Sequence, residues 1–199
     1  MSYMELFIKI IYLMSRRRDI LKTINYSDRR LNNSEHITFL AQNGEEDAFT
    51  SLIELNATAY YRIAKGVLSS EEDVKDAIQN TIIIIYNKLY TLQNINLFKT
   101  WSIRILINEC NKIYNANKKV VNLERVEDIS SYTINSDDKI DLYNAISTLS
   151  KDLRIPTILF YFDDLSYKEI SKITSIPEGT VKSRVFRAKE NLYEILKED

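Results

Sequence analysis

Two stretches with helical periodicity, separated by a short acidic segment with no clear period, constrain the fold of this chain. Residues 36–119 carry nine acidic and nine basic side chains and almost no turn residues apart from Asn, Gly and Ser. Residues 142–199 are again helical in pattern, whereas residues 120–141 hold six acidic and two basic side chains. Such a local excess of one charge is typical of a linker. The sequence therefore predicts an all-α protein with two small helical domains joined by an acidic linker.

Residues 1–35 form a predicted N-terminal extension whose role the sequence leaves open. Its apolar stretch, residues 4–14, includes Glu5 and Lys9 and is shorter than the roughly 20 residues that span a membrane. Arginines follow that stretch, whereas a signal peptide carries its positive charges in front of the apolar part. The extension is either a short amphipathic helix or tail that docks on the body, or an upstream addition if Met14 is the true start. Both interpretations predict a soluble, cytoplasmic protein.

The composition excludes most kinds of catalytic, metal and cofactor site. The three glycines, Gly44, Gly66 and Gly179, are too few for a phosphate-binding loop or a dinucleotide fingerprint. The single cysteine, Cys110, rules out an internal disulfide framework and a cysteine-cluster zinc site, and the single histidine, His36, leaves no multi-histidine site. Clusters of acidic residues stand at predicted helix starts, where capping and the helix dipole explain them. We therefore expect no catalytic residue, no metal and no cofactor, and a protein that is not an enzyme.

Four consecutive isoleucines, Ile82–Ile85, favour a strand by propensity but stand in a segment with helical spacing. The segment Ser69–Asp73 precedes them and has the form of a capping signal, in which a serine hydroxyl covers free N–H groups and a carboxylate reaches back. Apolar residues then recur at helical spacing at Ile78, Ile82, Ile85 and Leu89. Since intrinsic propensity is the weaker signal, the sequence predicts a helix here.

The second helical stretch has the pattern of a helix-turn-helix. Ser166–Glu169 is a capping box of the S-x-x-E form, and a short helix, a turn at Thr174–Ile176 and Pro177 follow it. The next helix starts near Glu178 and has one apolar side. Its other side carries four basic residues: Lys182, Arg184, Arg187 and Lys189. Because the formal net charge of the whole chain is only −1, a nucleic-acid surface has to be local, as it is on such a helix. The other interpretation is an ordinary amphipathic helix with a solvated basic face.

Three motifs of this chain resemble those of sigma-70-type RNA polymerase sigma factors. Residues 73–81, DVKDAIQNT, resemble the D-A-E-D-L-V-Q-E-T stretch of region 2. Residues 98–108, FKTWSIRILIN, resemble the F-x-x-W-L-x-x-I-A-x-N helix that follows it. Residues 178–189, EGTVKSRVFRAK, are similar to the G-T-V-K-S-R-x-x-R-A-R recognition helix of region 4. The presence of both regions in this order, without a middle domain, is typical of the extracytoplasmic-function group, which residues 36–199 resemble.

The resemblance implies a bacterial sigma factor that binds core RNA polymerase, through its β′ and β subunits, and directs promoter-specific transcription initiation. Residues 36–119 would be region 2, which binds polymerase and the −10 element. Residues 142–199 would be region 4, which binds the −35 element. The family also implies an anti-sigma factor of the membrane-tethered kind as a partner, and no small-molecule substrate. The acidic linker would either thread along polymerase channels meant for nucleic acid or form a solvated, disordered tether.

Two other classes of function remain as alternatives. The first is a stand-alone helix-turn-helix transcription regulator that does not engage polymerase. Such a regulator has no need for a counterpart of residues 73–81, and this motif therefore favours the sigma factor. The second is an enzyme such as a nuclease, which would need convergent carboxylates for a metal ion.

The resemblance assigns three sets of candidate contact residues. Those for polymerase lie on the predicted helix after Ser70: Asp73, Asp76, Gln79 and Asn80. Those for the −10 element lie in the polar loop 91–97 and on the helix after it: Gln93, Asn94, Asn96, Arg104, Asn108 and Lys112. The last three recur at a spacing of four and so share one helix face. Those for the −35 element lie on the basic helix: Gly179, Thr180, Lys182, Ser183, Arg184, Arg187 and Lys189.

The residue types suit these roles. Asn and Gln side chains carry both a donor and an acceptor, so they can read the exposed edge of an extruded base. Lys and Arg reach guanine O6 and N7 or phosphate oxygens, and Gly179 leaves room for a phosphate at a positive helix end. Near the start of the recognition helix Arg184 is expected to read bases, whereas Arg187 and Lys189 are expected to meet the DNA backbone. Trp101 is predicted to be a core residue rather than a stacking platform.

Overall fold

The computed structural model describes residues 33–121, 145–146 and 148–197. The first helices along the chain are α1, Asn33–Gln42; α2, Glu46–Val67; α3, Glu71–Lys88; and α4, Phe98–Val121. Two 3-10 helices, Leu89–Thr91 and Ile95–Leu97, join α3 to α4. The remaining helices are α5, Lys151–Tyr161; α6, Tyr167–Thr174; and α7, Glu178–Lys197. No strand occurs in the described ranges, and the prediction of an all-α fold is confirmed.

We refer to α1–α4 as the first unit and to α5–α7 as the second unit. The predicted N-terminal extension, up to residue 32, lies outside the described residues, and so does most of the predicted linker. At the end of the first unit, α4 continues to Val121. The helix therefore runs two residues beyond the domain boundary predicted at residue 119.

Local capping and burial together explain why the isoleucine-rich segment is helical. At the start of α3 the Ser70 hydroxyl accepts hydrogen bonds from the backbone N–H groups two and three positions further on, at 3.2 and 3.4 Å. Along the helix, Ile82 and Ile85 are buried whereas Ile83 is exposed. A strand would place residues 83 and 85 on the same face, so the burial follows the helical period. The prediction of a helix is confirmed.

Helices α6 and α7 form the predicted helix-turn-helix. The Ser166 hydroxyl accepts the Glu169 N–H at 3.3 Å, and Glu169 Oε2 accepts the Ser166 N–H at 2.8 Å, which is the predicted capping box. Ser175 then takes the left-handed conformation with a φ of 58° and ends α6. The Pro177 carbonyl accepts the Thr180 N–H at 2.9 Å at the start of α7. The apolar side of α7 is buried and consists of Val181, Val185, Ala188 and Leu192.

The two units share one apolar core, which the sequence prediction of two linked domains did not include. Helix α2 contacts α5, and α4 contacts α6. Gly66 lies where α2 meets α5: a Cβ atom at this position would be 2.6 Å from Ile158 Cδ1 and 3.2 Å from Ile155 Cδ1. Because glycine has no side chain, α5 approaches α2 closely at this point.

We expect alanine substitutions in the isoleucine run to follow the helical period. Ile82→Ala and Ile85→Ala should each lower the free energy of unfolding by about 2–5 kcal/mol, because each leaves a cavity in the core. Ile83→Ala is the matched control and should change it by less than about 0.5 kcal/mol, since this side chain is 39% exposed. Chemical denaturation followed by circular dichroism measures all three. Equal losses for Ile83→Ala and Ile85→Ala would indicate strand-like, alternating burial instead.

Candidate polymerase and nucleic-acid interfaces

The exposed face of α3 presents three of the four residues predicted to bind polymerase. Asp76 and Asn80 are exposed, and Gln79 is half-buried. Ile83 shares this face, since it follows Asn80 by three positions, and its side chain is 39% exposed. An exposed isoleucine ringed by polar groups resembles the apolar centre and polar rim of a protein interface. The sequence pattern did not single out Ile83, because it cannot tell which of four adjacent isoleucines faces solvent.

Asp73 has a partner within the fold. This residue is half-buried, and its Oδ2 accepts a hydrogen bond from Asn117 Nδ2 at 2.8 Å. The contact ties the start of α3 to the last turns of α4. Asp73 therefore stabilises the pairing of these two helices, in contrast to Asp76, which lies free on the surface of the same helix.

The polar loop 91–97, which includes the 3-10 helix Ile95–Leu97, has a positioned backbone and exposed amide side chains. Gln42 Nε2 donates to two backbone carbonyls at the start of the loop, at 3.1 and 2.7 Å, and so holds the loop against α1. Asn94 Oδ1 accepts the Asn96 N–H at 3.0 Å and caps the 3-10 helix Ile95–Leu97. Gln93, Asn94 and Asn96 are all exposed. The loop thus presents three amide side chains from a positioned backbone, and Gln42 is a supporting residue that the sequence did not reveal.

Helix α4 carries the predicted polar stripe on its surface. Arg104, Asn108 and Lys112 are all exposed, as their spacing of four predicts. Lys112 Nζ lies 2.7 Å from Glu109 Oε1, so part of the positive charge at this end of the stripe is neutralised. Trp101 is half-buried and packs against the core, as expected from its helical phase.

Helix α7 exposes most of the residues predicted to bind the −35 element. The exposed ones are Gly179, Lys182, Ser183, Arg187 and Lys189. Thr180 and Arg184 are half-buried, and Arg184 Nη2 lies 3.8 Å from Asp152 Oδ2 of α5. Arg184 therefore lies on the flank of α7 that faces α5, whereas Arg187 extends from the exposed side of the helix.

The start of α7 is open to solvent. A Cβ atom built on Gly179 would meet nothing within 4 Å, so packing does not require a glycine at this position. Open space in the first turn of a helix is where backbone N–H groups and the helix dipole favour an anion. The geometry is compatible with the phosphate contact that the sequence predicts for Gly179.

A groove of about 460 Å³ runs beside α7. Its lining combines three aromatic rings with two lysines: Tyr161, Tyr167, Phe186, Lys182 and Lys189. The Tyr167 ring stacks on Phe160 with 4.8 Å between the ring centroids, which holds this wall of the groove in place. Phe186 is 61% exposed. The sequence pattern of α7 points to its charged and hydroxyl side chains, and nothing in it singles out Phe186.

A buried ion pair joins the two units. Arg62 Nη2 of α2 lies 2.8 Å from Asp163 Oδ1, and the Asp163 side chain is only 2% exposed. Lys99 Nζ of α4 donates to the backbone carbonyl of Asp163 at 2.6 Å. The Arg62 guanidinium carbon also lies 5.0 Å from the centroid of the Phe162 ring. The sequence indicated only a turn at Asp163, because its partners stand far away in the chain.

The ion pair is incompletely hydrogen-bonded. Within the part of the chain that the structure describes, Asp163 Oδ2 and Arg62 Nε are buried without a hydrogen-bond partner. Burial raises the pKa of the Asp163 carboxyl, and the Arg62 guanidinium beside it offsets part of that rise. A buried pair of this kind retains much of the free-energy cost of leaving water.

Lys151 makes a second polar contact between the units. Its Nζ lies 3.6 Å from the centroid of the Tyr114 ring and donates to Asn111 Oδ1 at 3.2 Å. Burial lowers the pKa of the Lys151 ammonium. The neighbouring Cys110 is buried, and burial raises the pKa of its thiol to about 12. A thiol with so high a pKa is a poor nucleophile at neutral pH.

The described ranges contain neither a helix that could cross a membrane nor a group of side chains that could hold a metal ion. None of the helices in those ranges is long and apolar enough to cross a membrane. In the same residues, no group of three or more His, Cys, Asp and Glu side chains comes together in a way that could hold a metal ion.

Two family models match this chain. Residues 52–120 match Sigma-70 region 2, and residues 139–192 match Sigma-70, region 4. The first match includes the candidate polymerase and −10 residues, and the second includes the candidate −35 residues.

Two known sigma factors are similar in sequence to this chain over most of their own length. The ECF RNA polymerase sigma-E factor of Haemophilus influenzae is 27% identical over 169 residues, which cover 75% of this chain and 87% of that protein. The RNA polymerase sigma factor SigV of Bacillus subtilis is 29% identical over 131 residues, which cover 65% of this chain and 79% of that protein.

Two solved structures have a similar fold. The sigma factor RpoE in complex with the anti-sigma factor NepR from Bartonella quintana superposes with a TM-score of 0.64 and 28% identity, over 76% of this chain and 98% of that chain. CnrH in complex with the cytosolic domain of CnrY superposes with a TM-score of 0.61 and 19% identity, over 84% of this chain and 99% of that chain.

We expect an NMR titration to place the pKa of Asp163 above its ordinary value of 3.8, because burial outweighs the attraction of Arg62. Arg62→Gln should raise this pKa further, since it removes the nearby cation. Asp164→Asn should lower it slightly, since it removes a neighbouring negative charge. Because the pKa is higher in the folded chain than in the unfolded one, the stability linked to Asp163 is fully present below the unfolded value and is lost as pH rises through the folded value. A pKa at or below 3.8 in the wild-type chain would show that the ion pair dominates over burial.

Proposed function

The chain belongs to the extracytoplasmic-function group of the sigma-70 family, and we propose that it binds core RNA polymerase with the exposed face of α3 and promoter DNA with α4, α7 and the loop 91–97. It is a sigma factor that directs promoter-specific transcription. The observation that carries this conclusion is the presence of both region 2 and region 4 in one chain. A stand-alone helix-turn-helix regulator would need only the second unit, and that alternative is not favoured.

The polymerase-binding face combines an apolar centre with polar groups around it. Docking removes the partly exposed Ile83 from water, while Asp76, Asn80 and Gln79 give the contact its orientation. Such a division between an apolar anchor and a polar rim is common in protein interfaces. Asp73 supports this face through its hydrogen bond to Asn117, and polymerase would have to compete with that bond to reach the carboxylate.

The −10 element is assigned to the loop and to the α4 stripe. Gln93, Asn94 and Asn96 are exposed amide side chains, suited to the edge of an extruded base. Because the loop backbone is already positioned, little conformational entropy would be lost on binding. Arg104, Asn108 and Lys112 would follow the DNA backbone and fix the register of the chain on it. Because Glu109 neutralises part of the charge of Lys112, we assign more of the attraction for phosphate to Arg104.

The −35 element is assigned to the exposed side of α7. Lys182, Ser183 and Arg187 are exposed there, and Arg187 replaces Arg184 as the proposed base-reading arginine. The reason is geometric. Arg184 is half-buried beside Asp152, so its side chain would contact a phosphate at the edge of the DNA groove. Lys189 lines the aromatic groove and is also assigned to the DNA backbone.

The partners and the cellular location that we propose for this chain are those that its family suggests. The structures of RpoE and CnrH contain, respectively, the anti-sigma factor NepR and the cytosolic domain of CnrY, and by likeness this chain is proposed to have an anti-sigma factor of its own. Sigma factors in general are not enzymes, so no catalytic site is assigned. The proposed place of action is the cytoplasm, where core polymerase and promoter DNA are found.

Replacing Asp76 and Asn80 together with alanine should lower the affinity for core polymerase by about tenfold, which is about 1.4 kcal/mol, because the double variant removes the polar groups around Ile83. Thermal unfolding should not change, since both side chains are exposed. Lys88→Ala is the control: it is exposed at the end of the same helix, away from Asp76 and Asn80, and should bind as the wild type does. The measurement is competition with a fluorescent wild-type chain for core polymerase. Undiminished competition by the double variant would exclude α3 as the docking face.

Two arginine variants of α7 should differ in how they affect −35 binding. Arg187→Ala should reduce the preference for a matched over a scrambled duplex by about 1–3 kcal/mol, because it removes a base contact. Arg184→Ala should weaken binding to both duplexes alike, because it removes a phosphate contact. A plot of the logarithm of the binding constant against the logarithm of the salt concentration should then have a slope smaller by about one.

The full-length chain is used for this comparison, with a matched duplex that the wild type has selected from a random library. Lys88→Ala is the control, since it removes one exposed positive charge from the first unit and should leave −35 binding unchanged. Loss of sequence preference in Arg184→Ala instead of Arg187→Ala would reverse the two assignments.

A further inference from the structure

The proposed contact with duplex DNA explains the lysines of the aromatic groove beside α7 but not its rings. Lys182 and Lys189 line this groove and are assigned to the −35 element. In a duplex, each base is stacked between its neighbours and presents only its edge in the major groove, so a protein ring finds no free base face to stack on. Tyr161 is nevertheless 47% exposed and Phe186 61% exposed. These rings therefore suit a ligand with a free planar face.

The tyrosine rings of the groove are held in place by a neighbouring ring. The Tyr167 ring lies parallel to the Phe160 ring, with an interplanar angle of 7° and 4.8 Å between the centroids. The Tyr161 ring meets Phe160 edge-on, at 89° and 5.0 Å. Phe160 thus positions both tyrosines, which line the groove from α5 and α6, while Phe186 lines it from α7. A surface that is already positioned loses little conformational entropy when a planar ligand stacks on it.

The charge of the groove suits an anion. None of the described residues that line it is acidic, and Lys182 and Lys189 supply two positive charges. Positions 182, 186 and 189 share one face of the helix, with about 10 Å along the axis between the two lysines, so Phe186 stands between two cations. Gly179, which leaves the start of α7 open, lines the same groove, and free backbone N–H groups at a helix start favour phosphate. Groups that stack on a base and groups that bind phosphate therefore occur side by side.

We propose that the aromatic groove binds one free nucleoside triphosphate, with its base against the aromatic rings and its phosphates toward Lys182 and the start of α7. The groove encloses about 460 Å³, which lies within the range of about 300–1,000 Å³ that is usual for small-ligand sites. The phosphates point to this end because backbone N–H groups add to the charge of Lys182 there. Aromatic side chains stack on the face of any base, so the groove defines a class of ligand rather than one base.

A nucleotide in the groove would exclude the −35 duplex. Lys182, Ser183 and Lys189 line the groove and are also assigned to the duplex, so the two ligands use the same groups. The nucleotide concentration would then determine how much of the chain is free to bind the −35 element. This competition rests on the proposed function, whereas nucleotide binding itself is a property of the groove alone.

Nucleotide binding is measured on the full-length chain without polymerase or DNA. The probes are ATP and GTP that carry a fluorescent methylanthraniloyl group on the ribose, and fluorescence anisotropy reports their binding. We expect saturable binding of both probes and their displacement by unlabelled ATP. Inorganic triphosphate and adenosine should each displace the probe about tenfold less well than ATP or worse, because each lacks either the base or the phosphates.

Phe186→Leu should weaken ATP binding by about tenfold, because it removes a stacking ring and keeps an apolar side chain. Tyr193→Leu is the matched control: it removes a ring that is 62% exposed on the same helix and that does not line the groove. This control should bind ATP as the wild type does. Since both rings are exposed, thermal unfolding followed by circular dichroism should be the same for the wild type and both variants.

Lys182→Gln tests where the phosphates lie. It should weaken ATP binding by about tenfold and AMP binding much less, because the outer phosphates contact this lysine. Lys172→Gln is the control, since it removes a lysine that is exposed on α6 and does not line the groove, and it should leave ATP binding unchanged. An equal loss of affinity for AMP and ATP in Lys182→Gln would overturn this orientation of the nucleotide.

The competition is tested with a labelled −35 duplex that the wild-type chain has selected from a random library. ATP should release this duplex over the concentration range in which it displaces the fluorescent nucleotide, and Phe186→Leu should need about tenfold more ATP. Because duplex binding depends on salt, sodium chloride at the same ionic strength is the control and should release much less duplex. Simultaneous binding of ATP and duplex would overturn the competition.

Failure of both labelled nucleotides to bind, or equal binding by the wild type and Phe186→Leu, would overturn the nucleotide site. Inorganic triphosphate as effective as ATP would also overturn it, since the lysines alone would then hold the anion. Tighter binding of a single-stranded oligothymidylate than of ATP, with the same loss in Phe186→Leu, would assign the groove to unpaired nucleic acid instead. If the chain binds no duplex at all, the proposed −35 contact fails, while the anisotropy measurement still decides whether the nucleotide site exists.

Discussion

Helix α2 contacts α1, α3, α4 and α5, and the packing of both units depends on it. Most of its apolar residues are buried, among them Leu52, Ile53, Tyr60 and Ile63. Burial of apolar surface is non-directional, so hydrophobicity alone does not determine how α5 lies on α2. The shape of the surface at Gly66 and the charge of Arg62 supply that direction, and both belong to one face of the helix.

Most of the side chains assigned to polymerase and DNA lie on surfaces that this packing leaves exposed. An amphipathic helix buries one face and keeps the other in water, so the core of each unit also determines which side chains are available for contacts. This arrangement explains how a chain with a net charge of −1 presents the basic side of α7 to solvent. Lys182, Arg184, Arg187 and Lys189 place positive charge together on α7, where it acts locally.

The contact between the two units has one favourable and one unfavourable contribution to its free energy. Apolar surface around Gly66, Ile155 and Ile158 favours the contact, whereas the buried ion pair retains a desolvation cost. A contact with this balance is specific without being very stable.

The sequence by itself determined the secondary structure, the helix-turn-helix and the family, because the signals for these act over short distances. The serine caps at Ser70 and Ser166 act within three residues, and the apolar period of α3 needs only its own turns, even through four β-branched residues. The family motifs likewise named the surfaces on α3, α4 and α7.

Only the tertiary structure decided which side chains on those surfaces are free and how the units meet. Arg62 and Asp163 are 101 positions apart, and nothing in the sequence around either one indicates a buried partner. The exposure of Ile83 and the position of Arg184 beside Asp152 likewise depend on which helices pack together. Local patterns record the preferences of neighbouring residues, whereas burial and charge pairing across the chain arise only when separate helices come into contact.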